Sequence, residues 1–370
     1  MKTIECNNCV LDSTVPDITF SDEGECSYCS FANKNIKNFK FSIEDEKNNL
    51  ETLKKRILDQ KNGEYDSIIG LSGGVDSSYV AYLAMELGLN PLCVHFDNGW
   101  NSDIAVKNIR NIIEVTKFDL HTYVVDWEEF KDLQRSFFKA GVVDIELLTD
   151  HAIYAALFKI RRSYKIKSVL SGTNYATEHG MPNPWTWSKM DLTNIKSIHK
   201  EFGTIPIKSF PTMSSNKWRL IKRFGFGGTF EEPLNLINFS KSNAMSKLED
   251  VFDWEYYGGK HFESVFTKFY QAHVLPSKFK IDKRKVHLSD LIRNGEIDRG
   301  FALEELSKPL YDKEELIRDK DFVLKKLGFK EEEFDSILSK DPVSHDFYMN
   351  DYTNDSLIVK IGKCIFGSKV

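Results

Sequence analysis

The chain has 370 residues, of which 41% are hydrophobic and 28% charged, and its net charge is −5 at pH 7. This length and composition exclude a disordered chain and favour two or three folded units with sizeable cores. The acidic balance argues against a polyanion such as RNA as a partner, and the longest apolar runs fall far short of the roughly 20 residues that cross a bilayer. Because the N-terminus also lacks the apolar stretch of a secretory signal, we expect a cytoplasmic protein without membrane contact.

Residues 1–40 are predicted to form a zinc ribbon, because they are too polar to build a core unaided. Two Cys-x-x-Cys pairs, Cys6 with Cys9 and Cys26 with Cys29, lie in this segment. In a reducing compartment this spacing favours four thiolates around one Zn²⁺ rather than disulfides. An iron–sulfur cluster and unligated core cysteines are the alternatives.

Residues 41–240 alternate between strands and helices, which predicts an α/β fold with a doubly wound parallel sheet. The first helix begins near Phe41, where Ser42 and Asp45 resemble a capping box. Strands are predicted at about 66–71, 91–97, 121–126 and 167–172. Helices are predicted between them, one ending at Leu87 and others over 102–116, 127–140 and 145–163.

The alternation ends after Gly172. Residues 181–235 are predicted to form long loops with short helices, and the chain is predicted to be mainly helical from Ser242 onward. The helical prediction includes the stretch VFDWEYYGGKHFESVFTKFYQ and helices at about 287–294, 312–326 and 331–338. We therefore expect a C-terminal helical region over 241–370 that binds substrate and phosphate.

The sequence LSGGVDSS, residues 71–78, lies between a predicted buried strand and a predicted helix. Such a turn points backbone N–H groups and the positive end of a helix dipole at one spot, where anions bind. Gly73 and Gly74 allow close approach of the backbone, and the serine hydroxyls can donate to phosphate oxygens. An acid is unfavourable in an anion site unless a cation lies between, so we assign Asp76 to Mg²⁺. A glycine turn that only closes the strand and helix unit is the competing interpretation, and a Walker A loop is excluded because its GxxxxGK[ST] pattern is absent.

The SGGVDSS string resembles the pyrophosphatase loop of the ATP pyrophosphatase superfamily, which includes asparagine, argininosuccinate, GMP and NAD synthetases and tRNA-thiolating enzymes. The resemblance implies an adenine nucleotide alpha hydrolase-like fold and cleavage of ATP between the α and β phosphates. Two later segments, His95 to Asn98 and Ser171 to Asn174, end strands where this superfamily contacts its nucleotide. The implied ATP-binding residues are Leu71, Ser72, Gly73, Gly74, Asp76, Ser77, Ser78, Phe96, Asp97, Asn98, Gly172, Thr173 and Asn174.

The order of motifs from the cysteine ribbon through LSGGVDSSYVA, FDNGWNSDIAVKNI, SGTNYATE, WEYYGGKHFESVFTKFYQ and KFKIDKRKVHLSDLI resembles the N-acetyl sugar amidotransferase family. This resemblance spans Cys6 to about Leu306. It implies an ATP-dependent carbon–nitrogen ligase of bacterial surface-glycan and nonulosonic acid synthesis that turns an acetamido into an acetamidino group. It also implies a separate glutaminase that supplies ammonia. The residues agree with this expectation, because Lys2 follows the initiator methionine and neither Cys93 nor Cys364 has the context of a glutaminase nucleophile.

The expected chemistry needs positioning and charge neutralisation more than covalent help from side chains. We assign Asp76 and Ser72 to catalysis. The catalytic cations Lys278 and Arg284, together with Lys285, are assigned to the departing pyrophosphate. For the segment KFKIDKRK that contains them, a solvated basic helix face is the alternative. The sugar, free or nucleotide-linked, is assigned to Tyr257, Gly258, Gly259, Lys260, His261 and Glu178. For YYGGKHFE the alternative is a helix start with core aromatic residues. For Trp185 and Trp187 two interpretations are open: stacking on a sugar, or hydrophobic anchoring of a long loop.

Two other functions stay open at the level of sequence. One is tRNA thiolation or another base modification, which the acidic charge disfavours. The other is a non-catalytic zinc-ribbon protein whose loop only holds a nucleotide.

Overall fold

A computed structural model of the protein describes residues 3–223, 228–260 and 262–352. Five parallel strands form one sheet in the order β3-β2-β1-β4-β5. The strands are β1 (Ser67–Gly70), β2 (Pro91–Asp97), β3 (Leu120–Val124), β4 (Ser168–Leu170) and β5 (Thr229–Glu231). The predicted α/β fold with a doubly wound parallel sheet is therefore confirmed, with one strand more than the sequence indicated.

The order of the strands places β1 at the centre of the sheet. From β1 the chain adds β2 and β3 on one side, then returns to place β4 and β5 on the other. The carboxyl ends of β1 and β4 thus lie side by side where the direction of winding reverses, which is where open parallel sheets bind their ligands. The phosphate-loop sequence begins directly after β1.

Fifteen α-helices are described. They are α1 (Ser27–Asn35), α2 (Ile43–Asp59), α3 (Val75–Glu86), α4 (Asp103–Thr116), α5 (Trp127–Ala140), α6 (Leu147–Ser163), α7 (Tyr175–Glu178), α8 (Leu192–Phe202), α9 (Ser215–Arg223), α10 (Lys241–Phe252), α11 (Val265–Phe269), α12 (Arg284–Asn294), α13 (Arg299–Ser307), α14 (Lys313–Leu327) and α15 (Glu331–Ser339). A π-helix over Tyr270–Phe279 continues α11. The capping box of α2 is confirmed, because the Ser42 hydroxyl accepts from the Asp45 N–H and the Asp45 carboxylate accepts from the Ser42 N–H.

The helical prediction for the stretch 251–271 is wrong in its middle. Asp253 adopts a left-handed conformation, with φ of 50°, and ends α10. The chain from Trp254 to Lys260 is then irregular, and helix resumes only at Val265. This segment is held by contacts to the phosphate loop, described below, rather than by helical hydrogen bonds.

The described residues of the stretch 181–235 confirm the prediction of long loops with short helices. The stretch contains helix α8, which has eleven residues. The Asp191 carboxylate caps α8 by accepting from the Asn194 N–H at 2.9 Å. The helix packs its apolar side, including the fully buried Ile195 and Ile198, into the protein core.

Two apolar clusters form most of the core. One joins α2, α3, α4 and α10 to the sheet through residues such as Ile57, Val80 and Leu248. The other includes the four ribbon cysteines, residues of α5 such as Phe137, and C-terminal residues such as Val274. The ribbon and the C-terminal helices thus share a core, and the limits 1–40, 41–240 and 241–370 stay a prediction. Across the residues that the structure describes, every helix is too short or too polar to cross a bilayer.

Candidate nucleotide and metal sites

The loop after β1 passes very close to α4. Gly73 has φ of +80°, and a Cβ atom at this position would lie 2.4 Å from the carbonyl oxygen of Ala105. Only glycine satisfies both conditions without displacing the backbone. Gly74 then caps α3, which begins at Val75, so the first N–H groups of the helix point out of the carboxyl edge of the sheet.

A clamp formed by Asn108, Trp254 and Tyr257 holds this loop. The carbonyl of Gly73 accepts hydrogen bonds from the indole N–H of Trp254 at 3.0 Å and from the Asn108 side-chain amide at 3.3 Å. The Tyr257 hydroxyl accepts from the Val75 N–H at 3.3 Å. Burial, with the Glu263 charge adding to it, raises the pKa of Tyr257 well above its usual value, so this hydroxyl stays neutral. All three residues lie in the motifs FDNGWNSDIAVKNI and WEYYGGKHFESVFTKFYQ, but only Tyr257 was assigned to a ligand, because no local pattern shows that Asn108 and Trp254 donate to the Gly73 carbonyl.

Directly in front of the loop is a cavity of about 230 Å³, which we call the phosphate cavity. Its lining consists of Ser72, Gly74, Val75, Asp76, Ser77, Ser171, Gly172, Thr173, Thr177, Glu178, Lys241, Tyr257, Lys260 and Glu263. The two loops meet closely here, since a Cβ on Gly172 would lie 3.1 Å from the backbone of Asp76 and Ser77. The predicted loop, the second nucleotide-facing segment and part of the predicted sugar site therefore form one site.

Two lysines supply the positive charge of the phosphate cavity. The Lys260 ammonium donates to the carbonyl of Thr177 at 2.8 Å and lies 3.4 Å from the Glu178 carboxylate. Burial, together with the charge of Lys260, lowers the pKa of Lys241, and the Asp76 carboxylate opposes that shift. Lys241 was missed because it begins a helix in a part of the chain with no recognisable motif.

A second cavity of about 360 Å³ extends from the loop over the ends of β1 and β2, and we call it the nucleoside cavity. One part of its wall is apolar and includes Leu71, Val94, Phe96, Ile153, Leu157 and Met181. Another part carries Asn98, Glu146, Thr149, Asp150, Lys189 and Lys283. Ser72 and Glu263 line both this cavity and the phosphate cavity, so the two meet at these residues.

A third cavity of about 520 Å³, here called the C-terminal cavity, adjoins both of the others. It shares Lys241 and Lys260 with the phosphate cavity, and Gln271, Lys283 and His287 with the nucleoside cavity. The predicted sugar-site residues Gly258 and Gly259 line it, together with Tyr256, Phe262, Phe301 and Arg284. His261 lies outside the described residues.

Three residues whose side chains were assigned to ATP from sequence are absent from the linings of all three cavities. Ser78 is fully buried, and no hydrogen-bond partner for its hydroxyl occurs among the described residues. Asp97 accepts from the Gly99 N–H at 2.8 Å and is not in the lining of the nucleoside cavity, unlike its neighbours Phe96 and Asn98. Asn174 is buried and caps α7, because its side-chain oxygen accepts from the Thr177 N–H at 2.9 Å.

The basic segment assigned to the pyrophosphate is not brought to the phosphate cavity. Lys278 is buried and donates to the carbonyls of Ile337 at 2.9 Å and Lys340 at 2.7 Å, and burial lowers its pKa. Arg284 pairs with Asp282 at 2.8 Å and faces the C-terminal cavity. Lys285 pairs with Asp12 of the ribbon. The spacing of these cations in the sequence could not reveal where their side chains point. In the structure Lys241 and Lys260 line the phosphate cavity, where Lys278, Arg284 and Lys285 were expected.

The two tryptophans of the loop 181–191 serve as anchors rather than as walls of the phosphate cavity. Trp185 is buried in the core. Trp187 stacks on His345 with ring centroids 4.9 Å apart, and its indole N–H donates to Asp191 at 2.9 Å. Of the two interpretations of this loop, the structure favours hydrophobic anchoring.

The four ribbon cysteines converge in the way that their spacing predicts. Their sulfur atoms all lie within 4.8 Å of one another, with 3.9 Å between Cys6 and Cys29 and 3.7 Å between Cys9 and Cys26. A tetrahedron of sulfurs at the usual Zn–S distance of about 2.3 Å has edges of about 3.8 Å. These distances therefore fit a single Zn²⁺, and none of the four cysteines is in a disulfide.

The Mg²⁺ site expected at Asp76 has suitable ligands in the phosphate cavity. The carboxylates of Asp76 and Glu263 both line this cavity, and hard oxygen ligands of this kind suit Mg²⁺. Asp76 and Glu263 also both raise the pKa of Tyr257, which places both charges near the clamp. Glu263 was not predicted, because no local pattern distinguishes it from any other acid in a helical context.

Comparisons with known proteins divide the chain in two. Residues 47–201 match the NAD synthase family model, and residues 263–361 match the model "LPS biosynthesis protein WbpG-like, C-terminal domain". The first match contains the loop after β1 and supports an ATP pyrophosphatase domain of the PP-loop type; the two matches together fit an ATP-dependent ligase. A search of curated proteins gave no match.

Solved structures show only distant similarity. NMN synthetase from Francisella tularensis is 16% identical, with 58% of this chain and 94% of that chain covered and a TM-score of 0.29. NH3-dependent NAD synthetase from Campylobacter jejuni is 13% identical, with 72% and 98% covered and a TM-score of 0.34. A 4-thiouridine synthetase in complex with RNA and ATP is 19% identical, with 51% and 41% covered and a TM-score of 0.30.

The metal site yields a stoichiometric prediction. Purified protein should contain about one Zn²⁺ per chain by elemental analysis, and Cys9→Ser should lose it because three thiolates bind much more weakly than four. Cys93→Ser is the matched control, since Cys93 is buried alone in β2, where burial raises its pKa to about 12. Zinc that persists in Cys9→Ser, or an iron content with a brown colour, would contradict the assignment.

The close approach of the loop yields a second prediction. Gly73→Ala should weaken ATP binding by at least about tenfold in a calorimetric titration, because the new methyl group meets the Ala105 carbonyl. Gly88→Ala is the control: Gly88 also has positive φ, of +66°, but nothing lies within 4 Å of the added Cβ. It should cost only about 1 kcal/mol of stability and leave ATP binding intact. Equal ATP affinity in both variants would show that the loop conformation does not matter.

Proposed function

We propose that the protein is the synthetase subunit of an ATP-dependent amidotransferase that converts the N-acetyl group of a sugar into an acetamidino group. The observation that carries this proposal is that two cavities meet at the loop after β1 and a third adjoins both of them. Ser72 and Glu263 join the phosphate and nucleoside cavities, and Lys241 and Lys260 join the phosphate cavity to the C-terminal one. Such an arrangement suits a reaction in which ATP and a second substrate share the α-phosphate as the reacting centre.

We assign the adenosine of ATP to the nucleoside cavity and its β and γ phosphates to the phosphate cavity. The α-phosphate then falls near Ser72 and Glu263. In the structure the N–H groups of Ser72 and Gly74 donate to the hydroxyls of Ser77 and Ser72, each at 3.2 Å. A phosphate oxygen can replace these hydroxyls as the acceptor, because the loop and the start of α3 present their donors to the same side.

The C-terminal cavity is assigned to the sugar. Its aromatic side chains, from Tyr256, Phe262 and Phe301, offer apolar faces, and several polar groups converge beside them. Most of its lining belongs to the part of the chain that matches the WbpG-like LPS biosynthesis domain. That name supports a substrate from surface-glycan synthesis, with an N-acetyl sugar as the specific proposal.

The proposed reaction has two steps, adenylylation of the amide oxygen and displacement of AMP by ammonia. The amide oxygen of the N-acetyl group attacks the α-phosphorus, the bond between the α-phosphorus and the bridging oxygen breaks, and pyrophosphate leaves. Ammonia then adds to the imidate carbon, and AMP leaves with the former amide oxygen. The sum is an amide, ammonia and ATP giving an amidine, AMP and pyrophosphate, with protons passing to solvent.

The protein contributes positioning and charge rather than a covalent nucleophile. Lys241 and Lys260 neutralise the departing pyrophosphate, and the helix dipole of α3 acts in the same direction. Asp76, with Glu263 beside it, would hold Mg²⁺, which supplies further charge neutralisation for the phosphates when bound. The Tyr257 hydroxyl keeps the start of α3 in place during the reaction.

Ammonia is proposed to come from a separate glutaminase subunit. We place the reaction in the cytoplasm, where ATP is supplied. For tRNA thiolation a sulfur-carrying cysteine would be needed near the loop, and Cys93 is fully buried with a raised pKa. Burial and the raised pKa both disfavour a reactive thiolate at that position, which makes the amidotransferase the better supported function.

The proposal is tested by product analysis. Purified protein is incubated with ATP, Mg²⁺, ammonium and a panel of N-acetyl sugars, both free and nucleotide-linked. AMP and pyrophosphate should appear only with the correct sugar, and mass spectrometry should show the replacement of one oxygen by NH. Asp76→Asn should abolish turnover while the fold stays intact by circular dichroism; turnover unchanged in that variant, or no AMP with any sugar, would count against the proposal.

The cations of the phosphate cavity can be tested separately. Lys260→Met and Lys241→Met should each weaken inhibition by pyrophosphate by about tenfold or more, since each removes a buried or half-buried positive charge beside the phosphates. Lys285→Met is the control, because Lys285 pairs with Asp12 away from this cavity. A loss confined to the Lys285 variant would restore the assignment made from sequence.

A further inference from the structure

We propose that Arg293 is a positioning residue that couples the four-cysteine metal site to the phosphate cavity. This inference rests on the proposed function only in taking the loop after β1 to bind ATP. Helix α12 connects the two regions: its N-terminal half carries His287 on the C-terminal and nucleoside cavities, and its last turn carries Arg293 at the ribbon. The sequence predicts a role in binding pyrophosphate for Arg284 and Lys285 at the start of this helix, and no role for its end.

Arg293 contacts the metal site directly. Its guanidinium donates to the sulfur of Cys29 at 3.4 Å and to the sulfur of Cys9 at 3.5 Å. A third donor of the same group binds the Asp290 carboxylate at 2.8 Å. The side chains of Arg293 and Asp290 are only 3% and 1% exposed, so little water competes for these contacts. One planar cation therefore links two zinc ligands to one buried acid.

Asp290 connects Arg293 to the two residues that follow helix α7, His179 and Gly180. One carboxylate oxygen accepts from the Gly180 N–H at 3.3 Å, and the other lies 3.4 Å from the Nε2 atom of His179. The Nδ1 atom of His179 faces the carbonyl of Tyr175 at 2.6 Å, and the two rings stack with centroids 4.4 Å apart. The fit is tight, because a Cβ on Gly180 would lie 2.4 Å from the Asp290 carboxylate and 2.7 Å from the Arg293 guanidinium.

Helix α7 in turn positions Lys260. The helix has four residues, Tyr175–Glu178, and so little internal hydrogen bonding that its place depends on what anchors it. Its Thr177 carbonyl and Glu178 carboxylate are the groups that hold the Lys260 ammonium in the phosphate cavity. A shift of α7 would therefore move the cation assigned to the pyrophosphate.

The charges at the buried pair explain why the loss of one partner should disturb the link. With Zn²⁺ bound, four thiolates would leave two negative charges, which the Arg293 guanidinium would offset from the side of α12. Removing one partner of such a buried pair leaves a charge without compensation, which costs far more than the pair contributes. Loss of the metal, or of Arg293, should therefore displace Asp290 and with it the end of α7.

The test compares Arg293→Gln with Arg299→Gln. Arg299 also touches the ribbon, donating to the Cys9 carbonyl at 3.0 Å, but it has no contact with Asp290. Zinc content is measured by elemental analysis and ATP affinity by calorimetry, both on the full-length protein. Arg293→Gln should weaken ATP binding about tenfold, within the range of coupling between linked sites, in molecules that still carry zinc. Arg299→Gln should bind ATP as the wild type does.

Two further measurements make the result decisive. Gly180→Ala perturbs the link from the α7 side without touching a cysteine, so it should weaken ATP binding to a similar extent with normal zinc content. In a Lys260→Met background, Arg293→Gln should cause little additional loss, because the two act through the same cation. Wild-type ATP affinity in zinc-loaded Arg293→Gln and Gly180→Ala, or fully additive losses with Lys260→Met, would overturn the coupling. Since the readouts are binding and metal content, they stand even if the sugar assay fails.

Discussion

The site depends on the position of one carbonyl group, that of Gly73. The loop after the central strand β1 turns so tightly that only glycine fits between α3 and the Ala105 carbonyl of α4. Trp254 and Asn108 both donate to the Gly73 carbonyl, which turns the opposite side of the loop, with its N–H groups, toward the cavity. This single arrangement is the basis of the anion site proposed at the carboxyl edge of the sheet.

The same contacts join the two halves of the chain. Trp254 and Tyr257 belong to the irregular stretch before the C-terminal helices, yet they hold the first turn of α3. Glu263 and Lys260 then enter the phosphate cavity from the same stretch. The C-terminal part thus completes the nucleotide site proposed for the α/β part and also forms most of the cavity next to it. A ligase that brings ATP to a second substrate requires such an arrangement.

The helices, strands and loop residues that could be predicted from the sequence are those that local patterns encode. Periodicity and caps located α2 to α6 and four of the five strands, and the loop residues Ser72, Asp76 and Ser77 lie where their motif placed them. The sequence did not predict β5, whose three residues lie in a stretch rich in Pro, Gly and Trp that was predicted to be loops and short helices, nor Lys241, whose role arises only when α10 packs beside α3. Lys278 shows the limit most clearly: a cation in a basic run was assigned to phosphate, and the fold uses it to bind two carbonyls.

The proposed nucleotide site can be observed in a crystal structure of the protein with Mg²⁺ and α,β-methylene-ATP, which cannot be cleaved between its first two phosphates. We predict adenine over the ends of β1 and β2, with the β and γ phosphates bound to the N–H groups at the start of α3 and to Lys241 and Lys260. An analogue bound elsewhere, or bound in the reverse direction with its phosphates away from this loop, would rule this site out.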